Sequence, residues 1–229
     1  MILVFDLDDT LYEEADYVRS GFRAVARFLS PILMVPPVVL EQEQLALLAQ
    51  YGRGRIFDML LERRGRYTKR LLRECIASYR CHEPDIRLYA ESAACLRRFR
   101  QLPLYVVTDG NKVAQAAKVR ALKLPRLVRR ALLTHRHGVA HAKPSPYCFQ
   151  LIQRLERAQP EEIVYVGDNP AKDFVGIRPL GFRTIRVLTG SHATMTARPG
   201  HDADVTIKSL DELTATLLGE LVASPTRTD

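Results

Sequence analysis

The residues with the most chemistry to offer stand in the first thirteen positions, MILVFDLDDTLYE. Asp6, Asp8 and Asp9 place three carboxylates within four positions, directly after the apolar run Ile2-Leu3-Val4-Phe5. Such a run reads as a strand buried on both faces. Side chains alternate along an extended chain, so Asp6 and Asp8 project to one side and Leu7 to the other. Two carboxylates held together at the end of a buried strand repel each other and need a neutralising partner. A bound cation supplies one, and an oxygen-rich cluster of this kind suits magnesium. Helix capping offers another use for Asp8, Asp9 or Thr10. It leaves Asp6, still on the strand, unexplained.

Three further polar groups follow predicted strands or open helices. Leu104-Tyr105-Val106-Val107 reads as a second buried strand and ends in Thr108-Asp109-Gly110-Asn111. Lys143 precedes Pro144-Ser145-Pro146 and a helix over 147–158. Ile163-Val164-Tyr165-Val166 is another strand, ending in Gly167-Asp168-Asn169-Pro170-Ala171-Lys172-Asp173. Short strands are expected over 131–134, 184–188 and 204–207, helices over 92–99, 112–123 and 211–221, and a loose tail over 223–229. This alternation predicts an α/β fold, a doubly wound, Rossmann-like parallel sheet with its active groups at the carboxyl ends of the strands.

A block of different rhythm interrupts it. Over 16–29, Val18, Phe22, Val25 and Leu29 fall on one helical face, while Arg19, Arg23 and Arg27 line a solvated one. Pro31, Pro36 and Pro37 predict a break, followed by helices over 38–50, 55–64 and 68–79, punctuated by Gly52, Gly54 and Gly65. The expected organisation is an α/β core of residues 1–13 and 86–229 and an inserted α-helical cap domain of residues 14–85. The insertion lies between the first and second strands, so it is expected over the edge that carries the acids.

The four signals taken together resemble the haloacid dehalogenase superfamily of phosphatases. DLDDT is similar to the family's first motif, DxDx[TV], VVTDG to its strand ending in Ser or Thr, Lys143-Pro144 to its KP motif, and GDNPAKD to the GDxxxxD form of its acidic motif. The helical block sits where the family carries a helical cap. The resemblance implies that Asp6 is the nucleophile, forming an aspartyl-phosphate, and that Asp8 is the general acid and base. It implies Mg²⁺ held by Asp6, the Asp8 carbonyl and Asp168, with Asp173 as a further ligand or orienting group. Thr108, Asp109 and Lys143 would bind phosphate, Asp109 standing where many members have Asn; Thr10 would orient the first loop. Members acting as dehalogenases generally lack an acid at the position of Asp8, so a phosphatase is expected, with a phosphomutase using the same residues.

Within the insertion, Arg53 and Arg55 occupy a glycine-flanked loop and are candidates for recognising the leaving group. A sugar phosphate or nonulosonate phosphate is the favoured substrate. The alternatives are a pyrimidine 5′-nucleotidase, with Tyr51, Phe57 or Tyr67 lining a base slot, and a non-catalytic phosphate-binding module. His135, His137 and His141 are dense enough to suggest a metal cluster, but their oxygen-rich loop setting favours solvated side chains.

Composition bounds the rest. No apolar run among the 229 residues is long enough to span a bilayer, and the apolar start runs directly into acids rather than a cleavage site. A cytoplasmic protein, monomer or homodimer, is expected. Cys75, Cys81, Cys95 and Cys148 have no zinc-like spacing and read as reduced thiols. The net charge of +8 is concentrated between Arg97 and Arg136. That stretch lacks interleaved aromatics, which favours a solvated basic face drawing in a small phosphorylated metabolite over nucleic-acid binding.

Overall fold

The computed structural model describes residues 1–224. Its sheet contains β1 (Ile2–Phe5), β2 (Leu104–Thr108), β3 (Arg130–Leu133), β4 (Ile163–Gly167), β5 (Arg183–Val187) and β6 (Val205–Ile207). The helices are α1 (Glu14–Leu33), α2 (Pro37–Tyr51), α3 (Ile56–Arg63), α4 (Lys69–Cys81), α5 (Ala90–Arg98), α6 (Lys112–Ala121), α7 (Tyr147–Glu156) and α8 (Ala215–Ala223).

All strand pairs are parallel, in the order β3-β2-β1-β4-β5-β6. Strands β1, β2, β4 and β5 are buried along their whole length, the environment that the apolar runs of β1, β2 and β4 require. Alternate residues Ile2 and Val4, Tyr105 and Val107, and Ile163 and Tyr165 share one core cluster with Cys148, Phe149 and Ile152 of α7. Phe5 lies opposite Val106 on one side and Val166 on the other. That register carries the residues at the carboxyl ends of β1, β2 and β4 to one edge. The chain builds outward from β1 to β3 and then returns to place β4 beside β1. The crevice at that reversal is where ligands bind in open α/β sheets.

The chain divides into two compact units, one of Met1–Glu14 with the chain from Arg87 onward, the other Ala15–Ile86. The second is wholly helical. Its core holds Val18, Phe22, Val25 and Leu29 of α1 against Leu40, Leu47, Leu60, Leu61 and Cys75, the face that the sequence periodicity picks out. Buried Gln44 donates to the carbonyls of Phe22 and Leu40, at 3.3 and 3.0 Å. Thr68 caps α4 by accepting the Leu71 N–H at 3.0 Å.

Three expectations need correction. Pro31 does not break the first helix: it lies inside α1, close enough to the end that one forfeited backbone bond is tolerated. The reversal comes at Met34, with a φ of 56°, and Pro37 opens α2, where its missing N–H costs nothing. The last helix starts at Ala215, not at 211, because Thr214 is the residue that caps it, accepting the Leu217 N–H at 3.1 Å. Ala223 is the last residue of that helix and not part of a tail; residues 225–229 of the expected tail lie outside the described residues.

Candidate active site

Asp6 is the first residue past β1, and its backbone N–H still donates to the Val166 carbonyl at 2.8 Å. Strand hydrogen bonding therefore fixes where the carboxylate emerges. Lys143 Nζ lies 2.9 Å from Asp6 Oδ1 and 2.7 Å from Asp173 Oδ1, in a site where all three side chains are buried. The ammonium also donates to the Tyr165 hydroxyl at 2.9 Å, which in turn donates to Asp173 at 3.1 Å. The glycines of this region are packing requirements. A Cβ on Gly167 would come 2.6 Å from Asp173 Oδ2, and one on Gly176 would come 1.7 Å from the Pro144 carbonyl.

Asp168 follows β4 and completes the group. One oxygen each from Asp6, Asp168 and Asp173 lies within 4.8 Å of the others. Three buried carboxylates face one ammonium, and the charges respond accordingly. Burial lowers the Lys143 pKa, but Asp173 and Asp6 outweigh it and hold it well above the usual lysine range. Burial pushes Asp6 up to about 6, with Lys143 opposing and Asp173 adding to the rise. Burial, then the charges of Asp6 and Asp173, push Asp168 up to about 9. A buried, all-oxygen, net-negative donor set fits a hard divalent cation such as Mg²⁺. Thr108 ends the neighbouring strand β2; it is 1% exposed, and its hydroxyl has no hydrogen-bond partner. A buried unpaired donor at this edge suits a ligand oxygen.

Asp8 sits in a different environment. Lys118 Nζ is 2.7 Å from its Oδ1, Gln115 Nε2 is 2.8 Å from its Oδ2, and the Tyr12 hydroxyl donates to it as well. Burial raises the Asp8 pKa, but the Lys118 charge and these three hydrogen bonds outweigh it and hold the group below the usual carboxylate range. Gln115 and Lys118 lie one turn apart on α6, whose start is fixed by Asn111 accepting the N–H groups of Val113 and Ala114. Gln115 also donates to the Asp109 carbonyl, and a Cβ on Gly110 would crowd its amide at 2.9 Å.

The Asp109 carboxylate is turned to anchoring. It accepts the Thr134 hydroxyl at 2.8 Å and the Lys143 N–H at 3.1 Å, and pairs with Lys172 at 3.4 Å. Burial opposes ionisation there, yet Lys143 and Lys172 hold its pKa low. Thr10 donates to Asp168 Oδ1 at 3.2 Å, so it bridges the first loop to the end of β4. Asp9, to which the sequence assigns no role, accepts hydrogen bonds from Glu14 and Ser191.

The motifs assign no role to Tyr12, Gln115, Lys118, Lys172 or His192. The two α6 residues share a face three positions apart, which is a usable signal once Asn111 is read as a cap. His192, 2.8 Å from Asp168, follows β5 with no motif around it. Among the histidines the sequence does single out, His141 stacks on Tyr147 at 3.9 Å between ring centroids, and His137 lies 5.3 Å from the same ring. In the helical unit, Arg53 lines a cavity of about 210 Å³ with Val18, Phe22, Leu48, Phe57 and Tyr79. Arg55 pairs with Glu62 at 3.3 Å on the surface. Tyr51 and Tyr67 are 51% and 41% exposed and line no part of that cavity, whereas partly buried Phe57 does.

The four cysteines are free thiols, and no described helix is long and apolar enough to cross a membrane.

A glyceraldehyde 3-phosphate phosphatase of Methanopyrus kandleri is 28% identical over 214 residues, covering 89% of each chain. A phosphoserine phosphatase of Thermus thermophilus is 33% identical over 150 residues, covering 65% of this chain and 59% of the relative. Among solved structures, a 2-haloacid dehalogenase from Pseudomonas syringae superposes with a TM-score of 0.61 at 26% identity, covering 93% of this chain and 95% of that one. The family described as haloacid dehalogenase-like hydrolase matches residues 1–181, a span that takes in β1, β2, β4 and every acid and lysine of the site, and the chain belongs to that family.

Proposed function

We propose that this hydrolase is a Mg²⁺-dependent phosphatase that cleaves a small phosphate monoester, a sugar-type phosphate being favoured, through an aspartyl-phosphate on Asp6. The observation that carries the reading is the pairing of a buried Asp6 with Lys143 at 2.9 Å, at the same sheet edge where the unpartnered hydroxyl of Thr108 ends β2. A nucleophile, a fixed cation and an unused donor in one buried place are what transfer of a phosphoryl group requires. The relatives named as phosphatases of glyceraldehyde 3-phosphate and phosphoserine support a small, anionic monoester.

Asp6, Asp168 and the backbone carbonyl of Asp8 would hold Mg²⁺, with Asp173 behind them. Bound there, the ion would offset the repulsion between the Asp6 carboxylate and a phosphate dianion. Lys143 adds fixed positive charge to the same end, and Thr108 with the backbone N–H of Asp109 would bind non-bridging oxygens. A carboxylate oxygen of Asp6 bonds to phosphorus as the ester P–O bond breaks, and Asp8 gives its proton to the departing alkoxide. Water then attacks the acyl phosphate while Asp8 takes up a proton, releasing inorganic phosphate and restoring Asp6. Lys118, Gln115 and Tyr12 favour the ionised Asp8 of the second step. The incoming phosphate charge beside Asp8 favours the protonated form needed in the first.

Asp8 also separates this reading from halide displacement, which needs no proton donor. Arg53 and Arg55 are proposed to select the leaving group, and alanine at either should raise KM on the true substrate. The deciding assay measures phosphate release from an aryl phosphate, then from triose, hexose and nonulosonate phosphates, phosphoserine and pyrimidine nucleotides, with Mg²⁺ and with EDTA. Asp6→Asn should abolish turnover. Wild-type release no greater than that of Asp6→Asn would refute the enzyme reading, and transfer to a second sugar hydroxyl without free phosphate would make it a mutase.

A further inference from the structure

Two features of the site take no part in these steps: the left-handed turn at Asp9 and the loop after β5. They form one construction. Asp9 has a φ of 58°, and its carboxylate is occupied from two directions. Oδ1 accepts the Glu14 N–H at 2.9 Å, while Oδ2 accepts the Ser191 N–H at 2.9 Å and the Ser191 hydroxyl at 2.8 Å. The Asp9 carbonyl accepts the Thr189 hydroxyl. Between these contacts sits Gly190, at a φ of +62°, where a Cβ would lie 2.1 Å from Asp9 Cγ. Glycine is what lets the loop close on the acid. From the other side, buried Arg186 donates to the His192 carbonyl at 3.0 Å.

With its backbone held on both sides, His192 presents its ring to the end of β4. Nδ1 is 2.8 Å from Asp168 Oδ2, and Nε2 is 3.2 Å from Asn169 Nδ2. The orientation of the Asn169 amide is fixed independently, because its Oδ1 accepts the Ala171 N–H at 3.0 Å. An amide nitrogen only donates, so Nε2 accepts and Nδ1 carries the proton given to Asp168. Donor atoms of Asp9, Asp168 and His192 lie within 4.8 Å of one another, close enough for an ion site. Asp9, however, already accepts three hydrogen bonds, and the near nitrogen of His192 is protonated. The group is a brace, not a cage.

We propose that His192 is a positioning residue for Asp168: its Nδ1–H, with the Thr10 hydroxyl on the other oxygen, fixes the carboxylate in the orientation that holds the divalent cation. The inference rests on the reading of Asp168 as a metal ligand. It gives the Asp9–Ser191 contact a purpose, which is to hold the loop that delivers the imidazole. Hydrogen-bond partners of metal-binding side chains are commonly worth 10–100-fold in metal affinity.

The test is Mn²⁺ binding to the full chain after EDTA treatment, followed by calorimetry or by the resonance of free Mn²⁺. His192→Ala should weaken binding by about 10–100-fold. His192→Asn, whose amide nitrogen takes the place of Nδ1–H, should bind close to wild type, and its melting temperature without metal should match. If His192→Ala does not fold, His192→Gln replaces it, since its amide stands at the position of Nε2 and the same loss is expected. Unchanged affinity in the Ala or Gln variant overturns the proposal. So does an equal loss in His192→Asn, which would make the ring itself a ligand. Asp168→Asn separates the two readings. If it binds Mn²⁺ as well as wild type, or wild type binds none, the metal assignment fails and the proposal falls with it. If Asp168→Asn alone loses binding, only the role of His192 is refuted.

Discussion

Under the proposed function, stability and catalysis should respond to Thr108 in opposite directions, so it gives a sharp test. Its side chain is 1% exposed at the carboxyl end of β2, and the hydroxyl has no partner. A buried polar group left unpaired costs about 1–3 kcal/mol. Thr108→Val keeps the β-branched shape that suits a strand and deletes only that group. The ligand-free variant should therefore be no less stable than wild type, and up to about 2 kcal/mol more so, the upper part of the range being reduced by any water that pairs with the hydroxyl. Catalysis should move the other way. A hydrogen bond to a charged oxygen contributes about 1.5–3 kcal/mol, which corresponds to a loss of roughly 10- to 150-fold in kcat/KM. Urea unfolding without metal or phosphate reads the first quantity, and initial rates on an aryl phosphate with Mg²⁺ read the second. A variant that is destabilised by more than about 1 kcal/mol and keeps its kcat/KM would show that the hydroxyl serves the fold, and the reasoning would fail.

Lys118 and Asp8 form a mostly buried pair, 4% and 20% exposed at their side chains and 2.7 Å apart. Lys118→Met should destabilise the chain by about 2–3 kcal/mol, on the low side for a broken buried pair because Tyr12 and Gln115 still donate to the carboxylate. Asp8→Asn added to it should recover part of that loss. A coupling of at least about 1 kcal/mol is expected in the double-mutant cycle, and strictly additive losses would argue against a direct pair. Thiol labelling gives an independent reading of burial. Burial pushes Cys75 and Cys95 up to about 12 and Cys148 up to about 11, whereas Cys81 is exposed. Iodoacetamide at pH 8 should mark Cys81 in the native protein and all four thiols in denaturant, counted by mass spectrometry, since only an accessible thiol with appreciable thiolate reacts. Rapid native labelling of any other cysteine would contradict the packing described here.

The centre of the sheet was legible because β1, β2 and β4 are short, apolar on both faces and followed by polar residues at one end. Those features report burial in a parallel sheet directly, and neighbouring helices hardly alter them. Helix boundaries depend on more local contests. Pro31 looks like a breaker when read alone, but near the end of α1 it forfeits little, and the left-handed Met34 makes the turn instead. The start of α8 was similarly ambiguous, because the stretch ahead of it is compatible with a helix until Thr214 is recognised as the cap.

The site divides along the same line. Asp6, Thr108 and Asp168 stand at the ends of adjacent strands, so the topology alone brings them to one edge, and a linear motif can announce them. The groups that set their charge and orientation arrive by other routes. Lys118 and Gln115 reach Asp8 from a helix face more than a hundred positions along the chain, and His192 reaches Asp168 from a loop after a different strand. No spacing rule relates such partners, because each contact depends on how a whole strand–helix unit packs beside its neighbour. The consequence is visible in Asp6 and Asp8, two positions apart. One is pushed up to about 6 by burial among other acids, and the other is held low by a lysine and three hydrogen bonds. Two carboxylates two positions apart thus come to differ as acids, Asp6 raised and Asp8 lowered, through what packs around each. That difference is written in residues contributed by distant elements, which two nearby motif positions cannot show.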